Sequence, residues 1–158
     1  MLPGQHPRVT AKRTADDATK RTGSRHPAYN VSSMRNIIYT SNAAKPPAAY
    51  SQAVKAAGLV FVSGTAPADP ETGQILGTTI QEQTRQCLTD ISAILEAAGS
   101  SMDNIVSATI VLADENDFAG MNEEWVRWFP SDPPARQGAK LPARIPGLKV
   151  SIAAIAEC

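Results

Sequence analysis

One arginine stands out for its setting. In Pro133-Pro134-Ala135-Arg136-Gln137-Gly138 a guanidinium follows a stiff approach, because each proline locks its own φ and disfavours the α region in the residue before it. A planar guanidinium on rigid backbone suits two-point recognition of a carboxylate or phosphate. The same residue serves equally well as a structural ion-pair partner or a solvated surface cation. Lys140, on the same segment, reads as a solvated strand residue. Other reactive types are sparse. Cys87 and Cys158 form no CxxC and have no neighbouring histidine to make a metal set. Cys87 falls on the apolar face of an expected helix and reads as a buried thiol. Both histidines, His6 and His26, lie in the first 33 residues. There is no Gly-rich phosphate loop, no HExxH and no nucleophile elbow. Nucleophilic catalysis and a protein-bound metal are not expected, and no cofactor is implied.

The elements that must position Arg136 belong to a chain of 158 residues with zero formal net charge. That length allows one domain with a real core. The zero conceals an asymmetry. Residues 1–33 carry six bases against two acids, and the remainder carries nine bases against thirteen acids. A basic extension therefore precedes a mildly acidic domain, taken as residues 34–158. The extension is poor in large apolar residues, so disorder is expected. A mitochondrial targeting segment is the sharper alternative, against which stand Asp16-Asp17 and scattered prolines. The location expected is cytoplasmic, or mitochondrial if residues 1–33 act as such a segment. No apolar run reaches the length of a membrane span. The acidic domain lacks a basic patch with interleaved aromatics, which argues against nucleic acid.

Strands are expected at 36–39, 50–56 and 59–64, the last two joined by an Ala57-Gly58 turn. Asp69-Pro70-Glu71-Thr72-Gly73-Gln74 reads as a turn. Thr79-Ile80-Gln81-Glu82 fits a capping box. It opens a helix whose inward stripe is Thr84, Cys87, Leu88, Ile91, Ile94, Leu95 and Ala98, stopped by Gly99. A strand follows at 104–112. Asn116 or Asp117 then caps a second helix with the stripe Phe118, Met121, Trp125, Trp128 and Phe129, ended by Pro130. Core packing is the expected role of both tryptophans. The last two strands fall at 135–141 and 149–156, with a turn at Ile145-Pro146-Gly147. Two amphipathic helices and about six strands imply an α+β domain, a single mixed sheet with both helices on one face. The other face, carrying Val60, Val62, Val106, Ile110 and Val150 or their alternates, would be exposed in a monomer, which implies oligomerisation.

Taken in order, these pieces resemble the Rid family, the YjgF-like reactive-intermediate (imine) deaminases. The resemblance is carried by Tyr50 with the 59–64 strand, the Asp69-Pro70-x-Thr72-Gly73 turn, Leu95-Glu96-Ala97-Ala98-Gly99, Asn116-Asp117-Phe118 with Asn122, and Pro134-Ala135-Arg136 followed by residues 150–156. It implies a chorismate-mutase-like fold assembled as a homotrimer with a central barrel. It also implies intersubunit clefts in which small 2-imino or 2-enamino acids are hydrolysed to 2-keto acids and ammonia.

By the same resemblance Arg136 is the carboxylate anchor. Tyr50, Ser63, Gly64 and Asn122 line the cleft, contributed by adjacent subunits. Two positions depart from the family pattern. Gly138 stands where a cysteine is usual, and Ser151 stands where a glutamate positions or activates water. Serine can hydrogen-bond water but is a poor proton acceptor at neutral pH, and general acid–base help is typically worth about 10²–10⁴-fold. A non-catalytic trimeric binder of small carboxylates, and the ribonuclease or translation-inhibitor role attached to the family, are the competing expectations.

Overall fold

The local signals written into the sequence close as hydrogen bonds in a computed structural model of the chain, which describes residues 35–140 and 145–158. The expectations for residues 1–33 lie outside the described residues. Strand β1 is Asn36–Ile38, β2 is Ala53–Ala56 and β3 is Leu59–Thr65. Helix α1 is Ile80–Ala97, strand β4 Ile105–Leu112, helix α2 Phe118–Trp128, strand β5 Ala135–Lys140 and strand β6 Val150–Glu157. The β2–β3 hairpin turns on Ala57 and Gly58, both at positive φ, the backbone that matches the twist of the paired strands. β2 starts three residues later than expected. Tyr50 belongs instead to the preceding loop, where its N–H donates to Pro47 O at 3.3 Å.

The capping box of α1 forms in full, with Thr79 Oγ1 accepting from Glu82 N–H and the Glu82 carboxylate accepting from Thr79 N–H. These contacts hold the Glu82 carboxyl down at about 2. At the other end Gly99 N–H donates to Glu96 O and Ser100 N–H to Leu95 O. That is a Schellman closure, with Gly99 at φ 77° supplying the left-handed residue. α2 starts where expected, with Asp117 at its N-cap position, but its capping differs. Neither Asn116 nor Asp117 caps it through its side chain. Asp114 instead accepts from Asn116 N–H and caps a short 3₁₀ turn, Glu115–Asp117, that leads into the helix. The Asp117 carboxylate turns away to Lys149 Nζ at 3.3 Å.

The six strands make one sheet in the order β1-β2-β3-β6-β4-β5. Every pairing is antiparallel except β4–β5, which is parallel and connected through α2. Both helices cover one face. Leu88, Ile91, Ile94 and Leu95 of α1 are buried with Val60, Val62, Ile110, Ile152 and Ala154 of the sheet. α2 lies close to α1, because a side chain on Gly120 would meet Ile80 Cγ2 at 2.6 Å. Val60, Val62, Ile110 and Val150 thus point into the core, and their alternates form the open face. Ile37, Phe61 and Val106 there are 53, 42 and 43% exposed. The aromatic stripe of α2 divides likewise: Trp125 is buried and stacks on Phe129 with ring centroids 4.5 Å apart, whereas Phe118 is half exposed.

Candidate functional site

The residues singled out from the sequence gather into two groups at different places on the sheet. The first surrounds the end of β3. Between Val62 and Thr65 the β3–β6 register slips, so that Ser63 and Gly64 oppose the single residue Ala153. Such a bulge re-aims side chains and is common beside functional sites. Here Ser63 N–H donates to Gln52 O at 2.9 Å and Ser63 Oγ to Ser51 O at 2.8 Å. The bulge brings Gly64 so near β6 that a Cβ built on it would sit 3.2 Å from Ser151 Oγ. Ser151 lies on the open face of β6, alternating with the buried Val150 and Ile152. Tyr50, half exposed, joins Ser63 in lining a cavity of about 560 Å³ and joins Ser63 and Gly64 in a second of about 210 Å³, walled by Lys45, Pro46 and Pro47.

The loop bearing Tyr50 is held by two buried polar residues that sequence reasoning missed. Gln52 Nε2 donates to Thr40 O and Ala44 O at 3.0 Å, and its Oε1 accepts from Thr40 N–H at 2.7 Å. Asp90 of α1 accepts from Gln86 Nε2 at 2.9 Å and leaves its second oxygen without a partner. Burial raises its carboxyl to about 6, opposed by the Gln86 hydrogen bond and the nearby Ala44 backbone N–H. Cys87, one turn earlier, donates to Thr65 O at 3.3 Å, and burial pushes its thiol far up, as a structural cysteine requires.

The second group surrounds Arg136. The parallel register sets Arg136 beside Ala108 and Gly138 beside Ile110, so both face the helix side of the edge strand. The guanidinium carbon lies 5.1 Å from the Trp125 ring centroid and 5.9 Å from that of Phe118. Nη1 approaches Met121 Sδ at 3.9 Å. Among the described residues Arg136 pairs with no carboxylate. An aromatic backing fixes the plane of a guanidinium without using its charge-assisted donors. Asn122 is half-buried one residue along from Met121, on the stripe 118, 121, 122, 125 that α2 turns toward Arg136. Gly138 and Lys140 line a cavity of about 430 Å³ with Leu112, Glu115, Phe118 and Ala139. Lys140 forms an ion pair with Glu115 at its rim.

What holds α2 here is Glu124, also missed from the sequence. Its buried carboxylate receives Arg85 Nε at 2.9 Å and Nη2 at 2.7 Å, with Arg127 and Trp128 Nε1 each at 3.3 Å. The signal was available: 121, 124, 125 and 128 are one helical stripe, and only Glu124 on it is charged. Among the described residues no group of His, Cys, Asp or Glu side chains could hold a metal ion.

The two groups do not meet within the single chain. Three strand-to-strand steps, about 14 Å, separate β3 from β5 in the sheet order. Ser151 and Arg136 also face opposite sides of it.

This architecture, an antiparallel sheet with one parallel edge strand and two helices on one face, defines a class already known in solved structures. The family profile described as Endoribonuclease L-PSP matches residues 40–158. A RutC family protein of Pyrococcus horikoshii is 45% identical over 124 residues, covering 78% of this chain and 98% of the relative. The 2-iminobutanoate/2-iminopropanoate deaminase of Capra hircus is 40% identical over 123 residues, covering 78% and 90%. The crystal structure of E. coli TdcF with bound serine superposes with a TM-score of 0.72 at 34% identity, covering 78% of this chain and 98% of that one. The chain belongs to this family, the Rid or YjgF-like proteins.

Proposed function

We propose that this protein hydrolyses small 2-imino and 2-enamino acids to 2-keto acids and ammonia, in clefts formed where copies of the chain meet. The observation that carries the reading is Arg136, a guanidinium planted on two aromatic rings with no carboxylate partner among the described residues. A structural ion pair would have its acid, whereas this arginine presents its donors to whatever enters. A relative named for deamination of 2-iminobutanoate and 2-iminopropanoate, and another crystallised with serine, fit a ligand bearing one carboxylate and one nitrogen.

The chemistry asks little of the protein beyond placement. With its carboxylate gripped by Arg136, the substrate presents an iminium carbon that is already electrophilic. Water adds to that carbon, a proton passes from the added water to nitrogen, and the C–N bond breaks. The carbonyl forms as its oxygen gives up the second water proton to the departing ammonia, which leaves with the electrons of the C–N bond as ammonium. Ser151, beside Gly64, offers a hydroxyl that orients the water, and Tyr50, Ser63 and Asn122 shape the cleft. Because the two groups are separated within one subunit, the cleft draws Arg136 from one copy and Gly64 and Ser151 from the next. A homotrimer would bury the open sheet face with Ile37, Phe61 and Val106 at the same time.

The test generates 2-aminoacrylate or 2-iminobutanoate in situ and follows keto-acid release. Wild type is expected to accelerate it and Arg136→Ala to lose that acceleration. A wild type no faster than buffer, with activity appearing only in Ser151→Glu, would overturn the enzyme reading. It would leave a trimeric carboxylate binder, the alternative that Ser151 favours because serine supplies no base.

A further inference from the structure

The cavity beside Gly138 is not explained by anchoring a small acid. Gly138 sits inside an edge strand, where glycine weakens the ladder and usually marks a bulge or a close backbone approach. Neither applies. The β4–β5 register runs unbroken through it, and its φ is not positive. A Cβ built on it would find only Ile110 O, at an ordinary 3.7 Å. The missing side chain therefore leaves open space rather than relieving a clash. That space is the wall of the cavity of about 430 Å³, whose remaining lining is largely Leu112, Phe118 and Ala139.

We infer that Gly138 determines specificity and that the cavity takes a large apolar side chain, making the preferred substrates 2-imino acids derived from branched or aromatic amino acids. This rests on the deaminase reading for the position of the carboxylate. Arg136 and Gly138 are two residues apart on one face of the strand, about 6.5 Å. An acid held by Arg136 thus lays its side chain along the strand over Gly138. Phe118 belongs to both places, since it lies under the guanidinium and lines the cavity. The charged groups at the rim, Lys140 and Glu115, already neutralise each other. They leave no unpaired charge to select an ionic side chain.

The experiment supplies the imines of leucine and alanine from an L-amino acid oxidase and compares kcat/KM for wild type, Gly138→Ala and Gly138→Val. A β-branched residue suits an edge strand, and the one backbone atom near a Cβ here, Ile110 O, lies at an ordinary 3.7 Å, so both variants should fold, checked by thermal melting. A leucine-to-alanine ratio that falls in steps, by at least about 10-fold in Gly138→Val, is expected for an apolar pocket filled by three carbons. A wild type active on either imine whose ratio is unmoved by Gly138→Val overturns the inference and leaves the deaminase reading standing. A wild type active on neither imine removes the deaminase reading. The cavity is then read from the affinities of wild type and variants for 4-methyl-2-oxopentanoate against pyruvate: a preference lowered by Gly138→Val supports the pocket, and equal preferences overturn it.

Discussion

The two groups of candidate residues are built in opposite ways. Around β3 the backbone is tied down by hydrogen bonds, at the Ser63–Gly64 bulge and in the loop pinned by Gln52, with Ser151 of β6 a short step from Gly64. Around β5 the working residue is tied by almost none. Arg136 rests on rings and on a thioether, and its strand is paired on one side only. The first region has shape and hydrogen-bonding groups, and its charges, Lys45 and Arg35, sit on the cavity walls without an aromatic backing among the described residues. The second has an uncommitted charge and an apolar cavity. Each lacks what the other supplies, which is the physical case for a site shared between copies.

Arg136→Ala is the largest blow to that comparison. Loss of a bidentate charge-assisted contact should lower kcat/KM by about 10²–10³-fold, with little change in melting temperature because the side chain is exposed. Gly64→Val should also inactivate, since its side chain would press on Ser151 Oγ. The informative step is to mix the two. If each cleft takes Arg136 from one copy and Gly64 from the next, dissociating and reassembling equal amounts regenerates about one quarter of the clefts. Recovery near that fraction fits the shared site. No recovery, with mixed oligomers demonstrated by tagged subunits, would break it.

Glu124→Ala tests what holds the charged half. It leaves Arg85 without its buried acceptor, and α2 would lose its tie to α1. Breaking a buried pair can cost about 3–5 kcal/mol. Arg85 and Arg127 are 50 and 67% exposed and can turn to water, so about 2–3 kcal/mol is expected by urea unfolding. Because α2 carries the rings beneath Arg136, KM should rise more than kcat falls. Glu124→Gln should restore part of both.

Ser151→Glu tests the hydrogen-bonded half. Gly64 provides room for a longer side chain there, and a carboxylate beside the cleft water would add a base. An increase in kcat of about 10-fold or more, rising with pH as the new carboxyl ionises, is expected. An unchanged rate would mean that the hydroxyl already supplies all the help this site uses.

Much of the fold was legible because it is local. Thr79 with Glu82, the α1 stripe and Gly99 are decided within a few residues of each other, and all three close as read. The start of α2 falls where it was expected, with Asp117 at the N-cap position, but which side chain would do the capping was not legible, because Asp114, Asn116 and Asp117 are equally good caps in isolation and only tertiary pairing with Lys149 commits the Asp117 carboxylate elsewhere. Arg136 could be named but not interpreted. Whether an arginine is paired depends on residues from another helix, and the rings of Phe118 and Trp125 reach it only once β5 lies beside β4. Glu124 and Asp90 were overlooked for a similar reason: a charged residue on an apolar stripe looks like an exception until its partners are seen.

Asp90 gives the smallest effect and the clearest sign. Its folded-state carboxyl lies at about 6, above the ordinary 3.8, because burial disfavours the charge. Between those values the native state holds a proton that the unfolded state has released. Stability from this group is therefore fully present below about 4 and is lost as pH rises through about 6. The Glu82, Asp69, Glu115 and Glu124 carboxyls are all held low and act in the opposite sense, losing stability as pH falls below their ordinary range. Among the described residues the window between pH 5 and 7 thus isolates Asp90. Urea midpoints for wild type should decline across it by about 1–2 kcal/mol in stability, and Asp90→Asn should remove the slope whatever its absolute stability. The loop carrying Tyr50 packs against this residue, whereas Arg136 does not. A shift with pH in 2-oxo-acid binding that disappears in Asp90→Asn but persists in Glu124→Gln would locate the proton on the hydrogen-bonded half. The converse pattern would show that the two halves are less separate than their construction implies.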